Sequence, residues 1–133
     1  MNQRGFATLE VILMVMVIAI LASIAVPRFN SITTAANTAK VQSDLSTLDT
    51  AAAIYAMENG TSKSTLSITT DLKDYLQDAS TIKPPLGDVY VDSNDQKLTI
   101  TSSMSYNVAK QDDGEYRATL EGHTAGEFKK TTT

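Results

Sequence analysis

The chain has 133 residues, with 11 Lys+Arg against 15 Asp+Glu, a formal charge of −4 and a pI near 4.8. That length makes one small domain, or a small domain with an appendage, and the acidic balance argues against a protein that coats nucleic acid. With no Cys and a single His, the composition excludes a disulfide scaffold, a thiol nucleophile, a Cys-ligated metal site and a multi-His zinc centre.

Charge and apolar residues are unevenly distributed along the chain. Residues 1–40 hold Arg4, Arg28 and Lys40 against one acid, Glu10, a sum of +2. Residues 41–133 hold 8 basic and 14 acidic side chains, a sum of −6. The run Val11 to Val26 contains no charge, and Ser23 is its only polar side chain. Counted from Phe6, the apolar segment is about 21 residues, enough to cross a hydrocarbon core of roughly 30 Å. The sequence therefore reads as a membrane segment fused to an acidic, soluble body.

Three plainer readings of that segment fail. A secretory signal peptide carries an apolar stretch of about 7–15 residues before a small-residue cleavage site, and Ala25-Val26-Pro27 is a poor site because of its Pro. An ordinary signal anchor accounts for the length but not for Glu10. A buried globular helix needs cover on every side, which the remaining residues are too few to give. A lone carboxylate in an apolar run costs on the order of 2.5–3.5 kcal/mol on insertion scales, so it needs a partner. Were the chain cut between Gly5 and Phe6, the new α-amino group would lie four residues before Glu10. Such a pair, within one chain or between neighbouring helices, sets register, because any slip leaves both charges bare.

Arg4-Gly5-Phe6-Ala7-Thr8-Leu9-Glu10, followed by the apolar run and Pro27, resembles the class III signal peptide of the type IV pilin and pseudopilin family. The match covers about residues 1–30. The resemblance implies a prepilin peptidase that cuts after Gly5 on the cytoplasmic side and methylates the new N-terminal Phe6. It places the family's acidic residue on Glu10 and its helix proline on Pro27. Ala7-Thr8 in place of the commoner Thr-Leu order, and Ala19 where Gly is frequent, are its departures. It further implies a five-residue cytoplasmic leader (1–5), a transmembrane and assembly helix (6–27), and a globular head (28–133) that includes the second half of the long helix. The expected orientation is N-terminus in the cytoplasm of a single-pass plasma-membrane protein, with the subunit later in an extracellular or cell-surface filament. The expected partners are copies of itself, membrane lipid before assembly, the prepilin peptidase, an inner-membrane platform protein with its assembly ATPase, and minor pilins; nucleic acid is not expected.

Beyond Pro27, which should kink or locally melt the helix, Phe29, Ile32, Ala36, Ala39, Leu45, Leu48, Ala52 and Tyr55 recur at mostly three- and four-residue spacing. Asn30, Thr33, Asn37, Gln42, Asp44 and Asp49 fall between them as a polar face. Asn59-Gly60 is a stop signal. One helix from about Phe6 to Met57 would run roughly 75–80 Å at 1.5 Å per residue. Residues 60–65 read as loop, and Asp71 to Leu76 as a short helix begun by Thr70 or Asp71. Val89–Val91, Lys97–Thr101, Tyr106–Ala109 and Glu115–Leu120 alternate as strands between turn clusters, an antiparallel meander of three or four strands. The Gly-, Thr- and Lys-rich end, from Gly122, reads as frayed. The fold class is α+β, a long N-terminal helix on a small antiparallel sheet.

The body offers little chemistry. Asp92, Asn94 and Asp95 alternate oxygens as a calcium loop does, but lack the remaining ligands and the distal Glu. Hairpin-turn residues explain them more simply, although secretion-type pseudopilins, by resemblance, often hold calcium in this region. Asp112, Asp113 and Glu115 read as a solvated turn. His123 has no nucleophile to serve, and no G-x-S-x-G arrangement occurs. No enzyme, metal or cofactor is expected. Within the family, a major pilin comes first, with a competence (DNA-uptake) or type II secretion pseudopilin as alternatives; outside it stands a membrane-anchored binding domain that does not polymerise. The missing C-terminal disulfide departs from many Gram-negative pilins.

Overall fold

A computed structural model describes residues 3–91 and 96–131. Their order is α1 (Gln3–Asn59), β1 (Thr65–Leu66), β2 (Gly87–Val91), β3 (Gln96–Ile100), β4 (Asn107–Lys110), β5 (Tyr116–Thr119) and a short 3-10 helix, Ala125–Glu127. The chain divides into two compact units, Met1–Thr33 and Thr34–Thr133. Asp92, Asn94 and Asp95, the candidates for calcium, lie outside the described residues.

In the first unit every described residue is solvent-exposed and helical. Pro27 has no N–H to give to the carbonyl of Ser23, yet the helical assignment continues through it without the local melting its presence suggests. The hydroxyls follow the same economy. Thr8 Oγ1 donates to the Arg4 carbonyl at 2.8 Å and Ser23 Oγ to the Ile20 carbonyl at 2.7 Å. Each is thus satisfied within its own helix, as a hydrocarbon environment requires of polar groups.

The second unit holds all of the core. Val41, Leu45, Leu48, Ala51 and Ala52 of α1 pack with Leu66, Leu72, Val89, Val91, Ile100, Val108, Ala118, Leu120 and Phe128. Strands are arranged as two antiparallel sheets, a three-stranded sheet in the order β1-β4-β5 and a hairpin of β2 and β3. The register pairs Leu66 with Val108, Val108 with Ala118, and Val89 with Leu98. The four expected strands are present as β2 to β5. The fifth, β1, falls partly in the stretch read as loop, because two residues carry too little alternation to announce themselves.

Three sequence expectations are corrected. The first half of the helical stripe is out of phase: Phe29, Ile32, Ala36 and Ala39 are exposed and Thr34, Thr38 and Val41 are buried, whereas Leu45, Leu48 and Ala52 are buried as expected. Two threonines, Thr34 and Thr38, hold core positions. Second, Asp71 to Leu76 forms turns rather than a helix. Asp71 accepts the Ser67 N–H at 2.9 Å and pairs with Lys63, while Leu72 and Leu76 are both buried, which winds the chain into local turns. Third, the tail is anchored: Phe128 is fully buried behind the Ala125–Glu127 turn, where Glu127 Oε2 accepts the Thr124 N–H at 2.6 Å.

The stop at Asn59-Gly60 holds. Gly60 takes φ +77° and its N–H reaches the Ala56 carbonyl at 2.9 Å, the left-handed cap that favours glycine. Gly87, at φ +109°, has the Asn37 side chain 3.3 Å from where a Cβ would stand, so backbone and helix approach closely there.

Candidate assembly site

The residues singled out at the N-terminus all lie on α1 within the first unit. Gly5 is inside the first turns of the helix, and a Cβ added there would meet nothing within 4 Å. Glycine at this point is therefore not demanded by packing. Phe6, one residue on, is 57% exposed. Glu10 follows by four residues, the spacing that puts two helical positions on one face. It shares a shallow apolar face with Leu13, Met14, Val17 and Ile18.

The most apolar 18-residue window of α1 has a mean hydropathy of 2.8, and none of it is buried. The helix is therefore long and apolar enough to cross a membrane. Large side chains from Phe6 to Ile32, on all sides of the helix, stay uncovered. An apolar surface of that extent needs a partner of matching chemistry, either lipid or other helices. Glu10 is the one acid on it.

Of the polar face, Asn37, Asp44 and Asp49 tie the helix to the strand region, as does Thr38, which lay outside that face, while Asn30, Thr33 and Gln42 are exposed. Asn37 Nδ2 donates to the Leu86 and Asp88 carbonyls, each at 3.3 Å. Thr38 Oγ1 accepts the buried Tyr90 N–H at 2.9 Å and donates to the Thr34 carbonyl at 2.6 Å. Asp44 accepts the Tyr106 hydroxyl at 2.7 Å, and Asp49 accepts the Ala118 N–H at 2.6 Å. Burial, and then the bond to Asp44, push the Tyr106 hydroxyl well above its ordinary pKa. Sequence reading missed this row because a helical Asn, Thr or Asp has the same appearance whether it faces water or an open strand end. The recurrence of polar residues beside the apolar stripe was the available signal.

The remaining candidates are engaged locally. Asp113 Oδ1 accepts the Glu115 N–H at 2.9 Å, closing the β4–β5 turn, and Glu115 lies 3.5 Å from Arg117. His123 Nδ1 lies 3.5 Å from Glu127, with its ring edge-on to Phe128. Among the described residues no group of three or more His, Cys, Asp or Glu side chains is placed to hold a metal ion.

No family model matches the chain, and neither a curated protein nor a solved structure matches it. The class that its own geometry defines is an α+β protein with one long N-terminal helix on small antiparallel sheets, its first part an uncovered apolar stem.

Proposed function

We propose that the chain is a structural subunit of a type IV pilus-like filament, most simply a major pilin. The observation that carries this reading is Glu10, a single carboxylate four residues after Phe6 on an uncovered apolar helix. In this reading a prepilin peptidase cuts after Gly5, and the Phe6 amine becomes the cation that Glu10 needs. The stem holds the subunit in the plasma membrane, N-terminus in the cytoplasm, until an ATPase-driven assembly machine and its platform protein extract it. In the filament, Glu10 meets the Phe6 amine of a neighbouring copy. A pairing between two groups that are each costly when bare in an apolar medium makes the axial register unique. The stem then buries against other stems, contributing on the order of 25 cal/mol per Å² of apolar area.

Support comes from the coincidence of Gly5, Phe6, Glu10 and Pro27 with the family's pattern, and from a head whose core is complete without the stem. The total absence of Cys departs from many Gram-negative pilins and also fits a secretion pseudopilin, which with a competence pseudopilin is the second reading. Mass spectrometry of the mature N-terminus tests the proposal. N-methyl-Phe6 is the expected result; an intact Met1, or cleavage after Ala25, overturns it. Imaging of sheared surface material, alongside a deletion strain, separates the readings. Long filaments made of this chain support the major pilin, and a secretion defect without them supports the pseudopilin.

A further inference from the structure

We infer that the head carries both halves of a contact between copies: the Lys83–Leu86 segment of one subunit seats in a groove beside the β4–β5 turn of the next. The inference rests on the filament reading above and adds to it a second interface, distant from Glu10. Among the described residues of the second unit, Ile54, Met57 and Leu86 are the large apolar side chains left exposed. Leu86, 66% exposed, follows Pro84-Pro85. The two prolines fix their own φ angles, so the knob is presented with little ordering left to lose on docking.

The groove is an open depression of about 560 Å³ whose wall is mainly apolar, formed by Ala53, Ala56 and Met57, with Asp49, Glu115 and Arg117 at its rim. Met57 is 87% exposed there and adds its side chain to the apolar lining. Knob and groove sit at opposite ends of the helical part of the head. The Leu86 carbonyl is tied to Asn37, whereas the groove runs along α1 from Asp49 to Met57. From residue 37 to residue 53 an α-helix advances about 24 Å. One head therefore does not fill its own groove, and the knob of one copy has to reach the groove of another. Used head to tail, as in the filament reading above, such a contact repeats from copy to copy and builds an open polymer wherever the rotation does not close.

Charge selects the occupant. Residues 41–133 carry −6, so approaching heads repel unless a cation meets an acid at the contact. Lys83 is exposed, takes no part in the ion pairs of the described residues, and precedes the knob by three positions. Asp49 and Glu115 outnumber Arg117 at the rim, so the segment that brings Leu86 also brings the matching charge.

The absence of native Cys gives a clean test in the full chain, in cells that assemble it. Leu86→Cys combined with Ala53→Cys, or with Met57→Cys, should yield filaments whose oxidation gives a ladder of covalent oligomers. Each single variant should stop at monomer or dimer. Lys83→Glu should cut the yield of sheared filaments about tenfold, and Glu115→Lys added to it should restore most of that loss. Filaments that form without a ladder from either cysteine pair overturn the contact while leaving the filament reading intact. If the cysteine variants do not polymerise, the charge swap decides: rescue supports the contact, and no rescue overturns it. An unmodified chain that makes no filaments overturns both.

Discussion

Glu10 and Gly5 are the residues at which structure and function part company. Glu10→Val removes a charge whose insertion costs on the order of 2.5–3.5 kcal/mol, so the variant should sit in the membrane at least as well as the parent and still give no filaments. Gly5→Leu should keep the helix, since its Cβ has open space, and leave the leader uncut by mass spectrometry. Normal filaments from either variant would count against the assignment. In the head, Lys63 and then the Ser67 N–H hold the Asp71 carboxyl below its ordinary range, and the Thr124 N–H does the same for Glu127. A depressed carboxyl contributes stability that is present above its unfolded pKa of about 4 and lost as pH falls through its lower folded value. The Tm of the full chain in detergent should therefore drop below about pH 4, and Asp71→Asn should lower Tm at neutral pH and flatten part of that drop. An unchanged acid profile in Asp71→Asn would sink this account.

At the scale of the element, α1 is read correctly for type and end but not for face. Periodicity from Leu45 to Tyr55 finds the right stripe because those side chains are apolar. Before Leu45 the phase slips, since Thr34 and Thr38, neither of them in the apolar stripe, occupy core positions. The Thr38 contact depends on the edge of β2, which brings the Tyr90 N–H to it. Nothing local to the helix signals that. Thr38→Val should strand this buried N–H and cost about 1–3 kcal/mol. Leu48→Ala, at a fully buried position, should cost about 2–5 kcal/mol. Thr47→Ala, on the exposed side, should stay within about 0.5 kcal/mol. Denaturant unfolding of the three variants measures the ordering, and a Thr38→Val as mild as Thr47→Ala would show the tie to β2 to be idle.

For the whole molecule, the division of labour is between a head that buries its own apolar residues and a stem that buries none. Every described buried residue lies between Thr34 and Phe128. A chain of residues 34–133 should accordingly fold alone, run as a soluble species on size exclusion and keep its secondary structure by circular dichroism. The full chain should need detergent or lipid. A truncated chain that aggregates or lacks fixed structure would show the stem to be part of the folding unit. The −5 of residues 34–133 keeps such a species dispersed, and it also means that packing of heads needs located cations, of which Lys83 is the one placed beside an exposed apolar knob.

Sequence alone determined the stem, because an uncharged run of that length is apolar on every side and needs cover from lipid or other helices, and Gly5 and Glu10 stand out at its start. It determined the α+β class, the four longer strands and the Gly60 stop, where periodicity and turn chemistry act locally. Tertiary structure decided the rest. It paired β1 with β4 across the chain, turned Asp71–Leu76 into turns by burying two leucines, and anchored the tail through Phe128. It also set Asn37, Thr38, Asp44 and Asp49 against the sheets. Each of these depends on a partner far away in sequence, and a polar side chain carries no local mark of whether that partner is water or a distant backbone group.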